Sequence, residues 1–526
     1  MQTSVQKFAK NAIKNQDHSA FPERPTDGII IEPAKLHENL DAAQKLLVDG
    51  KYDVYQRSGK LVCIGRSESR DGTSRSADTG VIKEVDPLYL TELLTRVGRW
   101  YRYDNRSQSY KKIDCPEKIA KHLMSRPEHE WTFNTLKGVI NAPTLRSDGS
   151  IFQTPGYDLQ SGLYYMQDEH FDEIPEEPTE NDIKKAKDLL LWLLKDFPFD
   201  GEASRSVAMA GMLTSMIRKS LPSAPLIGIT APKMASGKSL LADVISLIST
   251  GNPMNAVSYT DNEAEEKKRL LALFIGGAPV ICYDNVEHPF GSQSLCIALT
   301  QQHITDRVLG ASKNATVPTN ATFLVTGNNL TFLGDVSTRV LLCKLDPNVE
   351  RPEEREFKVD LRCYIAQNRN KLVKACLIIL RVYHVAGRPR QTIKQFGRFE
   401  EWSNWVRSAI VWMGMTDPNE SRIDIENADP IRAILKNLLT SWHACFEDSP
   451  KTIKQVINEI AVQNPTHDQE LLFDTFEELA PDGKGGIKIK MLSKKLSLFK
   501  NRIEGGNRLE QMGETQGYKL WRVKKI

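Results

Sequence analysis

The segment from Leu226 to Ile248, LIGITAPKMASGKSLLADVISLI, constrains the fold of this chain more than any other. An apolar run of strand composition passes through a short loop ending in Gly-Lys-Ser and into a helix of amphipathic period. A buried strand, a loop rich in free backbone N–H groups and a helix N-terminus together form a cradle for phosphates. In such a cradle Lys238 reaches the β/γ oxygens and the Ser239 hydroxyl ligates a cation, so the sequence predicts ATP and Mg²⁺ as the bound pair, and ATP hydrolysis. The loop reads Pro232, Lys233, Met234, Ala235, Ser236, Gly237, Lys238, Ser239. It departs from the GxxxxGK[ST] pattern at its first position, where Pro232 replaces glycine, and Ala235 stands at another position often held by glycine.

The cradle alone is a short motif, and three downstream segments supply the rest of a hydrolytic site. PVICYDNVE, Pro279 to Glu287, predicts a second buried strand that delivers Asp284 to its carboxyl end. There an acidic group can hold Mg²⁺ through water beside Ser239. A third strand, TFLVTGNN, ends in Asn328 and Asn329, and Arg339 stands just before a fourth. In order these provide phosphate binding, metal binding, a polar group to position water, and a cation for transition-state charge.

This order resembles the AAA+ ATPases and, within them, the superfamily 3 helicases of viruses, phages and plasmids. The resemblance implies that Asn328 is the sensor and that Arg339 reaches into the neighbouring subunit's site. LLALFIGGAPVICYDNVEHPFGS, ALTQQHITDRVLGAS, VTGNNLTFLGDVSTRV and LDPNVERPEEREF are similar to the C-terminal half of phage and mobile-element primase-helicase proteins. Pro143 to Tyr165 resembles their pre-helicase region, so the likeness covers nearly the whole chain. Many AAA+ ATPases place a catalytic glutamate directly after the metal-binding aspartate, whereas here Asn285 stands there. An amide can orient water but cannot take its proton at neutral pH. Glu287, two residues on and so expected on the same strand face, is the preferred substitute, with Glu263 and Glu265 as others.

With 526 residues the chain has room for several domains, and 40% hydrophobic with 26% charged residues describes a globular protein. No apolar run approaches the roughly 18 residues that would cross a bilayer, and the N-terminus has no apolar core of a secretory signal, so a cytoplasmic location is expected. Eight scattered cysteines without a CxxC pair read as small buried hydrophobes in a reducing compartment, not as a zinc site. The net charge of +3 conceals an asymmetry, since Lys484 to Ile526 carries nine lysines and three arginines against three glutamates. That end is a candidate nucleic-acid surface.

The sequence predicts a multidomain α/β protein: an AAA+ (P-loop) parallel-sheet ATPase core with an N-terminal α+β domain and a C-terminal winged-helix-like domain. The expected divisions are a flexible arm (1–27), the α+β domain (28–170), an acidic linker (171–182), a helical collar (183–220), the ATPase core (221–389), a helical lid (390–428) and the basic winged-helix-like domain (429–526). In the α+β domain, DVYQRSGKLVCIG reads as a hairpin turning at Ser58-Gly59. In the core, ITDRVLGASKNATVPTNATFLV reads as another hairpin. The resemblance implies that this one projects into a ring channel with Lys313 at its tip, gripping single-stranded DNA. Lys490, Lys494, Lys495 and Arg502 are placed on phosphates of a duplex or fork. Trp402, Trp405 and Trp412, at helical spacing, read as core. Arg407 reads as an ion-paired or surface arginine, with a second sensor as the competing role.

The function expected is an ATP-dependent DNA-translocating motor, a hexameric replicative helicase of a phage or mobile element. Primase or other replication proteins are further candidate partners, and a membrane is not one. Two other readings stay open at this level. One is an AAA+ switch or loader that binds DNA without unwinding it. The other is a non-catalytic origin-binding scaffold, suggested by Pro232, Ala235 and Asn285. Primase activity in the N-terminal domain has no motif behind it.

Overall fold

The structure is a computed structural model and describes residues 23–66, 80–307, 314–428, 430–483 and 486–526. Its centre is a five-stranded, wholly parallel sheet. Numbering the elements of this core alone, the strands are β1 (Leu226–Ala231), β2 (Ala256–Val257), β3 (Val280–Tyr283), β6 (Thr322–Asn328) and β7 (Val340–Lys344). Between β3 and β6 come β4 (His303–Arg307) and β5 (Asn314–Pro318), a separate antiparallel hairpin with Arg307 opposite Asn314. The order across the sheet is β2-β3-β6-β1-β7. All residues of β1 and β3 are buried. Continuous apolar runs such as LIGITA and VICY are what a parallel sheet covered on both faces requires.

Helix α1 (Lys238–Thr250) follows β1 and packs against the long buried helix Gly201–Ile217 and against helix Leu361–Val385. These helices, the sheet and Trp402 and Trp405 belong to one continuous hydrophobic core. The expected collar and lid are therefore not separate layers. Helix Gly201–Ile217 has twelve buried residues, too many for a surface helix with one apolar face. Arg407, in the lid, is buried and paired with Asp417, Nε lying 2.7 Å from the carboxylate.

The acidic segment 171–182 also differs from expectation. Phe171 and Ile174 are buried in the central core, the Asp172 N–H donates to Asn370 Oδ1 at 2.7 Å, and Glu176 pairs with Arg381. Two apolar anchors suffice to dock a chain whose other side chains face water, so the segment is a packed strap and not a solvated linker. Leu145, Phe152, Leu163 and Tyr165 join the same core. The N-terminal core proper ends near Phe133. It contains Trp100 on a three-stranded sheet and helices Leu36–Asp49, Pro87–Val97 and Glu117–Met124. Its second sheet includes the hairpin Val54–Arg57 and Lys60–Arg66, closed by Ser58 at φ 52° and Gly59 at φ 76°. Positive φ at both central residues is the turn whose twist matches paired strands.

The C-terminal unit has its own core around Trp442, Phe476, Leu496 and Trp521. Helices Pro430–Phe446, Ile453–Ile460, His467–Leu479 and Ile489–Phe499 accompany a four-stranded sheet that includes the hairpin Asn507–Thr515 and Tyr518–Lys525. No helix among the described residues is long and apolar enough to cross a membrane.

Candidate active site

The loop after β1 closes on itself before α1 begins. Gly237 is the N-cap of α1 at φ 96°, in the left-handed region that glycine enters without steric cost, and Ala235 is also left-handed at φ 57°. Ser236 is buried and donates to the Lys233 carbonyl at 2.8 Å. Lys233 itself leaves the loop and donates to the carbonyls of Val349 and Glu350 at 3.1 and 3.3 Å. Pro232 and Met234 are exposed. Without the first glycine of the usual pattern, the loop still presents its backbone to the N-terminus of α1.

Lys238 is buried and crosses the cradle to Asn328, donating to Oδ1 at 2.7 Å and to the Lys233 carbonyl at 3.0 Å. Burial holds its ammonium below the ordinary lysine value, and the Asp284 carboxylate opposes that shift. Ser239 Oγ donates to Asp284 Oδ1 at 3.0 Å, and Thr326 Oγ1 donates to the same oxygen at 2.6 Å. A serine hydroxyl beside a carboxylate at the phosphate end of a cradle is the donor set for Mg²⁺, which keeps several waters and takes few protein ligands. Residues that follow or end β1, β3 and β6, three neighbouring strands, thus meet at one end of the sheet.

Past Asp284 the chain turns instead of continuing as a strand. Asn285 has φ 55°, its N–H donates to Thr326 Oγ1 at 3.0 Å, and the Val286 N–H donates to the Thr326 carbonyl at 2.8 Å. The expected strand alternation between Asn285 and Glu287 is therefore absent. The two are linked instead by a side-chain hydrogen bond, Asn285 Nδ2 to Glu287 Oε1, at 3.3 Å. The other carboxylates considered are engaged elsewhere. Glu263 accepts from the Gln293 and Ser294 N–H groups at the start of helix Gln293–Thr300. Burial works to raise its carboxyl, but these bonds outweigh it and hold it below the ordinary range. Glu265 pairs with Lys268.

Arg339 stands apart from this cluster. Its carbonyl accepts the Leu226 N–H at 3.0 Å, at the start of β1, so β1 separates it from the cradle by about 17 Å at the usual rise per residue. It is buried, its guanidinium bonds to Asp335, and its Nε has no partner among the described residues. With Arg398 it lines a cleft of about 710 Å³.

Two residues of this geometry escape a reading of motifs. Thr326 buttresses Asp284 and the turn after it, and its signal is a hydroxyl inside an otherwise apolar strand, two residues before Asn328. Arg398 shares the Arg339 cleft with no motif around it. Lys490, Lys494 and Arg502 are exposed on and after helix Ile489–Phe499, and Lys495 is half-buried there. Lys313 lies outside the described residues.

No family model and no curated protein matches the chain. Among solved structures it is similar to the apo C-terminal region of NrS-1, with 12% identity and a TM-score of 0.41 over 92% of this chain and 98% of that one. It is similar to the active helicase Cch of SCCmec type IV, with 12% identity and a TM-score of 0.32 over 90% and 97%. It is similar to JCV helicase, with 12% identity and a TM-score of 0.20 over 45% and 73%. At these identities and scores the likenesses carry no chemistry, which rests on the chain's own residues.

Proposed function

We propose that this chain is an ATP-driven motor with an AAA+ core of the superfamily 3 type, acting as a replicative DNA helicase of a phage or mobile element and working as a hexameric ring. Four groups at the carboxyl ends of three adjacent strands, Lys238 and Ser239 at the start of α1, Asp284 just after β3 and Asn328 at the end of β6, meet at one end of the sheet while the buried Arg339 stands at the other, and this arrangement is its main support.

In this reading the loop N–H groups and Lys238 hold the phosphates, and Ser239 and Asp284 hold the cation. Bound Mg²⁺ would neutralise charge on the β/γ oxygens. Asn328 positions the attacking water, with Asn285 and Glu287 orienting it and Glu287 the acceptor of its proton. Arg339 acts on transition-state charge in the next subunit's cradle. A cavity of about 340 Å³, reached past Ala231 and Pro232, has room for the rest of the nucleotide. The DNA strand runs along the β4–β5 hairpin, with Lys313 as its proposed grip. Lys490, Lys494, Lys495 and Arg502 of the winged-helix-like unit meet duplex or fork phosphates.

The test is steady-state ATP turnover with and without single-stranded DNA, beside strand displacement on a forked duplex. The motor reading expects DNA-stimulated turnover and displacement. Turnover without displacement indicates a switch or loader, and no turnover indicates a scaffold.

A further inference from the structure

Away from the cradle, three cations are gathered without a counter-charge. Arg57 ends the first strand of the N-terminal hairpin, and Arg218 and Lys219 follow the long buried helix Gly201–Ile217. Arg57 is 5% exposed and donates to the carbonyls of Leu136 and Lys137 at 3.0 and 2.8 Å and of Phe274 at 2.9 Å. Arg218 is 2% exposed and donates to the carbonyls of Ala321, Leu221 and Thr319 at 2.9, 2.7 and 2.6 Å. Both guanidiniums are thus held by neutral oxygens. The Lys219 stem is partly exposed, but its Nζ is shielded from solvent and has no hydrogen-bond partner, and Arg57 Nε is likewise unpartnered. The ammonium lies against the chain at Gly138, where an added Cβ would come within 2.9 Å of Nζ.

All three cations line one cleft of about 590 Å³, together with Ser58, Ser161 and the β5 residue Thr316. Ser58 Oγ donates to the Thr316 carbonyl at 2.6 Å, joining the N-terminal hairpin to the base of the β4–β5 hairpin. Among the described residues the only carboxylate lining the cleft is Glu401, whose charge acts on Arg388. Lys219 also borders a void of about 30 Å³, which has room for a water and not for a polyatomic anion. Burying three positive charges together is costly unless an anion accompanies them, because backbone carbonyls offer only partial charge.

We propose that this cleft is a second phosphate-binding site, in which the flexible Lys219 side chain turns its Nζ from Gly138 into the cleft and donates to a phosphate oxygen, beside the positive charge of Arg57 and Arg218. A phosphate matches the site: its oxygens accept from the ammonium, and it brings the missing charge. Burial, and then Arg57 and Arg218, push the Lys219 ammonium down to about 7, a shift that a bound anion would oppose. The phosphate is either a phosphodiester of a nucleic-acid strand passing the β4–β5 hairpin or a free anion.

The experiment is equilibrium dialysis of the full-length chain against radiolabelled inorganic phosphate, in a Lys238→Ala background that disables the cradle. About one equivalent should bind. Adding Lys219→Met should weaken binding at least about tenfold, while Lys219→Arg should keep most of it. Thermal melts confirm that the variants are folded. Absence of bound phosphate in the Lys238→Ala chain, or indifference to Lys219→Met in a folded protein, overturns the site. An oligothymidylate lacking terminal phosphates then distinguishes the sources: displacement of the label identifies the strand backbone, and retention identifies the free anion, the site standing in both cases. Because ATP turnover is not read, failure here leaves the motor reading untouched, and failure of the motor reading leaves this site untouched.

Discussion

Lys238 Nζ donates to Asn328 Oδ1 at 2.7 Å, so the cation of the loop after β1 is tied to the last residue of the adjacent strand. Ala231 and Asn328 face each other in the register of β1 and β6. A terminal phosphate drawn to Lys238 would compete with that amide, and the position of one strand end would then report on the phosphate.

Asn328→Ala should separate binding from chemistry. Lys238 keeps the Lys233 carbonyl at 3.0 Å, so ATP affinity should change by less than about fivefold while kcat falls about 100-fold. Lys238→Ala should instead weaken ATP binding by about 100-fold, because a charge-assisted contact to phosphate is lost. Fluorescent-nucleotide titration beside steady-state turnover measures both. Wild-type turnover in Asn328→Ala would remove the amide from the mechanism.

Arg339→Ala should bind ATP normally and lose about 1,000-fold in turnover. Mixing it with Lys238→Ala chains should restore part of the activity, since some interfaces then pair an intact cradle with an intact arginine. The readout is specific activity against mixing ratio, with co-assembly shown by pull-down. Activity that never exceeds either component means that the site is not shared.

Gly327→Ala places a Cβ 2.3 Å from the Val286 carbonyl oxygen, in the turn that follows Asp284. The turn must shift, so urea unfolding should show a loss of about 1–3 kcal/mol, and turnover should require more Mg²⁺. Gly397→Ala, which meets nothing within 4 Å, is the control and should leave both unchanged.

Stability should rise with pH in a way that depends on Lys219. Its folded value of about 7 lies below the ordinary 10.5, so beneath about pH 7 both folded and unfolded chains carry the proton and the cost of burying it is complete. Between these values only the unfolded chain keeps the proton, so raising the pH favours folding. Urea midpoints for the wild type should therefore climb relative to Lys219→Met from about pH 7 to about pH 10, and parallel profiles would contradict this. Burial pushes Arg57 and Arg218 down to about 10, so any slope from them begins at the top of this range, and the rise between about pH 7 and about pH 9 belongs to Lys219.

In the C-terminal unit, Arg508 and Arg522 both pair with Glu510, and Arg432 pairs with Glu504. Charge available to DNA therefore resides in the lysines and in the exposed Arg502. Replacing Lys490, Lys494 and Lys495 by alanine should reduce the slope of log K against log salt by about one unit for each lost contact, whereas Arg508→Ala should change it little. Fork binding by anisotropy over a salt series decides the matter.

How far the sequence carries depends on the range of the forces involved. Strands β1 and β3 are legible because burial on both faces writes an unbroken apolar run, and the Ser58-Gly59 turn because two positive φ values demand special residues. The cradle is legible as a local motif. The packing of Phe171 and Ile174 is not, since acidic neighbours dominate the composition while two side chains decide the docking. Neither is the isolation of Lys219, which arises where Gly138 and Arg57, far apart in sequence, lie beside it. Thr326 lies between these extremes, visible as a hydroxyl in an apolar strand but without a role until Asp284 is beside it.

The inclusion of residues 142–174 in the central core has a consequence for how the molecule can be divided. The unit that could be moved between proteins, or expressed alone, begins near residue 134, well before the sheet's first strand at Leu226. A fragment cut at 183 would leave behind Leu145, Phe152, Leu163, Tyr165, Phe171 and Ile174 and expose the apolar surface they cover. Recombination that kept all the recognisable motifs but broke the chain there should yield an insoluble product, so these thirty-odd residues travel with the central sheet.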